Sequence, residues 1–173
     1  MRHSRLRLAL AALAAAGCGG GDSVSTGGNN NNPSCVVHFT GGPVADPAAT
    51  CAPIVTYNAG TNVSGVGISA GAYNFAFTME DVGAKITGGD FNNLQPGVSA
   101  SLFIVNGTDN YTLNTGNGSQ IGSFTLHITS LTPTSEGSTT SWYPNGTLDA
   151  TVPADTGSGA HGTITAHATF SGY

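Results

Sequence analysis

Gly67-Ile68-Ser69-Ala70-Gly71 fits the G-x-S-x-G pattern, in which a tight turn lifts a serine into place as a nucleophile. Such a serine needs an imidazole to take its proton and a carboxylate to orient that imidazole. His161 or His167, with Asp149 or Asp155, would fill those roles. The setting argues against this chemistry. The pattern works where a strand turns sharply into a helix, whereas residues 72–79 alternate like a strand. A chain with 26 glycines and many serines also produces such a short pattern readily. The expectation is a protein without catalytic activity, with a serine esterase using Ser69 as the alternative.

Two further residue sets are suited to ligand chemistry. His127, His161 and His167 would suit a transition metal, but no two of them have a compact ligand spacing. They read as surface histidines, and no metal centre is expected. Asp90, Asn92 and Asn93, together with the acids Asp149 and Asp155, offer the oxygen donors that calcium prefers. Asp and Asn equally serve turns by bonding their own backbone. A structural calcium ion is therefore the one cofactor kept open. Trp142 and Tyr143, just before Pro144-Asn145-Gly146, would stack on a sugar ring if exposed. The competing expectation buries Trp142 in the core, the ordinary place for a sole tryptophan.

The elements that must position these residues are strands. Tyr73, Phe75, Phe77 and Met79 alternate with polar or small residues, as do Phe124, Leu126 and Ile128. Leu148, Ala150 and Val152, then Ile164, Ala166, Ala168 and Phe170, repeat the pattern. Successive strand side chains point to opposite faces, so each segment buries one face and wets the other. Residues 98–105 form a continuous apolar run that suits a central strand covered on both faces. Asn106-Gly107, Asn117-Gly118 and Asn145-Gly146 read as tight turns at segment boundaries. All eight prolines fall outside the best strand interiors. Seven to nine strands predict an all-β antiparallel sandwich over residues 35–173, with a closed barrel as the alternative. Residues 145–152 and 162–171 should form a closing hairpin.

The chain before the domain reads as an address. Arg2, Arg5 and Arg7 precede an apolar run from Leu8 to Ala16, which has the layout of an export signal and falls short of a membrane span. Ala15-Ala16-Gly17-Cys18 resembles the lipobox of bacterial lipoproteins. The resemblance covers only these first 18 residues, and the family's preferred Leu is replaced by Ala15. It implies cleavage after residue 17, lipid on Cys18, and anchorage in the cell envelope, with Gly19 pointing to the outer membrane. Residues 18–34, rich in Gly, Asn and Ser, would form a flexible tether spanning about 20–25 Å.

With Cys18 lipidated, Cys35 and Cys51 remain as a pair that an oxidising compartment would join. Loss of residues 1–17 would leave Lys85 alone against nine carboxylates, a net charge of −8. Nucleic acid is thereby excluded as a partner, because phosphate binding needs several cations. Five Asn-x-Ser/Thr triplets, at Asn62, Asn106, Asn110, Asn117 and Asn145, read as turn-forming asparagines in such a setting. The sequence thus implies an envelope lipoprotein with a binding or scaffolding β domain. The partners it admits are the membrane through the lipid, a polysaccharide, or an envelope protein in a larger assembly.

Overall fold

The computed structural model describes residues 33–47, 49–71, 75–83, 85–116, 118–133 and 140–172. The signal, Cys18, most of the tether and Asn117 lie outside the described residues, as do Tyr73 and Asn74. All described secondary structure is strand. In chain order the strands are β1 Ser34–Thr40, β2 Cys51–Asn58, β3 Val63–Ala70, β4 Phe75–Val82 and β5 Gly89–Asn92. There follow β6 Val98–Asn106, β7 Asp109–Asn114, β8 Ser123–Pro133, β9 Ser141–Pro153 and β10 Thr163–Ser171. That makes ten strands among the described residues, where the sequence predicts seven to nine. β5 has only four residues, too few to display an alternation.

Every pairing is antiparallel, in the order β1-β10-β9-β2-β3-β4-β6-β7, with β8 against β9 and β5 against β8. The sheet does not close into a barrel; it doubles over at β9. The first residues of β9 pair with β2 at Val55↔Trp142 and Thr56↔Ser141, and the rest of β9 runs between β8 and β10. Rings from the two layers meet in the interior. Phe77 of β4 lies 5.5 Å from Phe124 of β8, and Phe39 of β1 lies 6.0 Å from Phe75 of β4. This sandwich-like core holds Leu102, Leu113, Leu126, Leu148 and Val152 at full burial. Burying one such side chain stabilises by about 1.5–3 kcal/mol.

The alternations of β4, β8, β9 and β10 are borne out by their burial patterns, and β9 and β10 form the expected hairpin. Other expectations need correction. The apolar run of β6 is not covered on both faces. Ala100, Leu102 and Ile104 are buried, while Phe103 is 50% and Val105 38% exposed, because only one face of an antiparallel layer meets the core here. Asn145-Gly146 is not a turn but the interior of β9, opposite an irregularity in β8 between Ile128 and Ser130. At the β6–β7 hairpin the register closes at Asn106↔Asp109, so the two loop residues are Gly107 and Thr108, with Gly107 at φ +65°. Pro53 and Pro144 lie inside strands β2 and β9. Pro53 is tolerated where β2 has β3 on one side only, since β9 reaches it no further than Val55.

Cys35 and Cys51 form a disulfide with their Cα atoms 4.9 Å apart, both sulfurs in the core. The bond fastens edge strand β1 to β2 across the two layers.

Candidate functional site

The outer face of the β1-β10-β9-β8-β5 layer carries three imidazole–carboxylate pairs. His38 Nδ1 lies 2.8 Å from Asp46 Oδ2, and His167 Nδ1 lies 2.6 Å from Asp149 Oδ1. His127 Nδ1 bonds Asp90 Oδ1. All six side chains are 45–70% exposed. Strand geometry builds two of the pairs directly. Asp149 faces His167 across β9 and β10, and Asp90 faces His127 across β5 and β8. Asp46 instead comes from the loop after β1, where its carboxylate also accepts the Phe39 amide at 2.5 Å. The His38 hydrogen bond, helped by that amide, holds the Asp46 carboxyl below the usual carboxylate range.

His38 and His167 are themselves register partners. The row Asp46, His38, His167, Asp149 therefore crosses three adjacent strands. The histidines are on the surface, as the sequence implies, but they are ordered rather than scattered. His161 lies apart, exposed in the loop between β9 and β10. Sequence reasoning passed over His38 and Asp46. The alternation of Cys35, Val37 and Phe39 with His38 could have placed that imidazole on the wet face.

Residues expected to hold calcium are engaged in hydrogen bonds within the protein. Asn92 Oδ1 accepts the Leu94 amide at 2.9 Å, Asn93 Nδ2 donates to Gln120 Oε1 at 3.2 Å, and Asp90 is bonded to His127. The Asn92 contact is a turn contact of the kind Asn makes with its own backbone, while Asn93 and Asp90 bond segments distant in sequence. Among the described residues, no three His, Cys, Asp or Glu side chains gather about a common point.

Ser69 lies within β3, opposite Ala52 and Ala76, and its side chain is exposed. The next described element is strand β4, not a helix, so the strand-to-helix elbow that the motif requires does not form. His167 and Asp149 are together but on the other layer, bonded to each other.

Trp142 and Tyr143 diverge. Trp142 is 9% exposed and Tyr143 38%, since neighbours on a strand point to opposite faces. The Trp142 ring is capped by the Lys85 ammonium, 4.8 Å from its centroid, and the same ammonium lies 5.9 Å from the Tyr57 centroid. The sole cation beyond residue 17 is thus placed over two aromatic faces, an attraction that strengthens as water is removed.

Beside this cap lies an open groove of about 530 Å³, lined by Thr56, Tyr57, Asn58, Thr61, Val63, Gly65 and Glu80. Thr56, Gly65 and Glu80 form one register row across β2, β3 and β4, with the missing side chain of Gly65 giving the groove its floor. The Tyr57 hydroxyl donates to Asn62 Oδ1 at 2.9 Å, which fixes the ring at the groove wall. Asn62 adopts φ +53°, the left-handed turn conformation that Asn tolerates. The lining combines the Thr56 and Thr61 hydroxyls, the Asn58 amide, the Tyr57 ring and the Glu80 carboxylate with apolar surface. Such a surface suits a neutral, polyhydroxylated ligand. The chain matches no protein-family model, no curated protein and no solved structure.

Proposed function

We propose that this chain is a cell-envelope lipoprotein, anchored by lipid on Cys18 and held at the outer membrane. Its β domain acts as a non-catalytic binding module for a polysaccharide. The observation that carries this reading is the Tyr57 groove: an aromatic wall, amide and hydroxyl neighbours, and a volume within the about 300–1,000 Å³ typical of ligand sites. The lipobox-like Ala15-Ala16-Gly17-Cys18 supports the anchor. The sugar-binding role moves from Trp142 to Tyr57, because Trp142 lies under Lys85 and Tyr143 faces the other way. The groove contains one carboxylate and no imidazole, which supports binding rather than hydrolysis.

Trp142 supplies the readout. Lys85 touches both rings, so a ligand seated against Tyr57 shifts Lys85 and alters the emission of the single tryptophan. Titration of the full chain with a panel of neutral polysaccharides should give a saturable change in emission with at least one member. Tyr57→Ala should abolish it while leaving the fold intact. A panel silent both in fluorescence and by affinity electrophoresis would refute the reading. Metabolic labelling with a fatty acid, lost in Cys18→Ala, tests the anchor separately.

A further inference from the structure

The first and last strands bring two imidazoles to one register position on the outer face. His38 of β1 and His167 of β10 stand directly opposite each other in the ladder. Register partners on antiparallel strands share a face, with Cβ atoms about 4.5–5.5 Å apart. Two imidazoles at that separation can reach one cation between them.

The rings are also oriented. Each is held from behind through Nδ1, His38 by Asp46 at 2.8 Å and His167 by Asp149 at 2.6 Å. An ionised carboxylate only accepts hydrogen bonds, so the proton sits on Nδ1 and the lone pair of the neutral ring on Nε2. Protein imidazoles ligate metals in this state, with a carboxylate fixing the tautomer and raising the basicity of the ligating nitrogen. The braces are themselves anchored: Asp46 by the Phe39 amide, and Asp149 by its place in β9 between β10 and β8. The Thr169 hydroxyl lies 3.2 Å from His167 Nε2, a contact that a bound ion would replace.

We propose that His38 and His167 form an open site for a borderline divalent transition metal of the Zn2+ type, ligated through their Nε2 atoms. Asp46 and Asp149 act as positioning residues. Two imidazoles leave at least two positions of a tetrahedral ion to water or to an incoming donor. The site is therefore one of exchange, not a closed structural centre. Ca2+ and Mg2+ are excluded by their preference for oxygen shells. The acidic chain favours any cation approaching this face.

The test is calorimetric titration of the untagged full chain with Zn2+ alone at neutral pH. His127→Ala is the control, because His127 has the same carboxylate brace but meets Asp90 and Thr147 in register, not a second imidazole. One saturable site should appear in the wild type and in His127→Ala, and vanish in His38→Ala and in His167→Ala. Asp149→Asn should weaken it about 10- to 100-fold. Saturating Zn2+ should also raise the thermal midpoint of the wild type but not of the two site variants, since an ion that binds only the native state stabilises it. His38→Gln and His167→Gln replace the alanine variants if either melts early without metal. Absence of saturable binding below about 1 mM, or equal binding in the wild type and the His38 and His167 variants, overturns the proposal. The polysaccharide reading of the Tyr57 groove rests on other residues and stands or falls separately.

Discussion

Replacing Gly146 with alanine tests the architecture at its most crowded point. A Cβ at this position would lie 1.9 Å from the His127 carbonyl oxygen, 3.0 Å from its carbon and 3.1 Å from Cε2 of Phe170. Two of the three are backbone atoms of β8, so no rotamer change relieves the contact. The φ of +157° adds strain for an L-residue. Overpacking costs about 1–3 kcal/mol, and a sparsely populated backbone conformation costs a further 1–3 kcal/mol, approximately. Together they predict a loss of about 2–6 kcal/mol, out of the roughly 5–15 kcal/mol that holds a domain together. At about 4 °C per kcal/mol, the thermal midpoint should fall by about 8–24 °C. Guanidinium unfolding followed by far-ultraviolet circular dichroism measures the loss. Gly107→Ala serves as the comparison, because Gly107 has φ +65° but nothing within 4 Å of its added Cβ. It should lose only the conformational part, about 1–2 kcal/mol. If Gly146→Ala loses no more than Gly107→Ala, within about 0.5 kcal/mol, then β8 and β9 do not pack as described and the reasoning fails.

Other substitutions probe single interactions. The Tyr111 hydroxyl is fully buried and has no hydrogen-bond partner among the described residues, so Tyr111→Phe should stabilise by about 1 kcal/mol in urea melts; a clear loss would contradict that. The double variant Cys35→Ala with Cys51→Ala should lose about 3 kcal/mol, the chain-entropy value for a loop of this length. Reductant should then lower the wild-type midpoint without affecting the variant. Burial raises the Asp81 carboxyl above its ordinary value, so the native state holds that proton more tightly than the unfolded chain does. The stability tied to Asp81 is therefore full in acid and declines as pH rises through the carboxylate range and just above it. Asp81→Asn should raise the midpoint at pH 7 and leave it nearly unchanged near pH 3; equal effects at both would exclude desolvation as the cause.

The sequence was informative where structure is local. Phe124, Leu126 and Ile128, or Ile164 through Phe170, declare a half-buried strand through alternation alone. The pairing of Cys35 with Cys51 followed from counting. Register was not legible, and register builds the surface chemistry. His127 and Asp90 are 37 positions apart and His167 and Asp149 are 18 apart, and only the β5–β8 and β9–β10 ladders bring each pair into contact. Asn145-Gly146 misleads for the same reason. Its two residues have a turn composition, yet the irregularity in β8 that requires a glycine there belongs to a distant segment. The groove was hidden because Thr56, Gly65 and Glu80 carry no common signal until three strands align.

Because Ser34 faces Ser171 at the rim of the sheet, the two ends of the fold leave side by side. Tension between them would act across the β1–β10 hydrogen bonds, peeling them one pair at a time rather than shearing them together. Such peeling is mechanically weak, and it would meet Cys35 one residue in. There the covalent link to Cys51 passes the force to β2, which is zipped to β3 along its full length. The disulfide is thus a mechanical stop, positioned so that a tug on the β1 end frays a single residue pair before the load reaches the opposite layer.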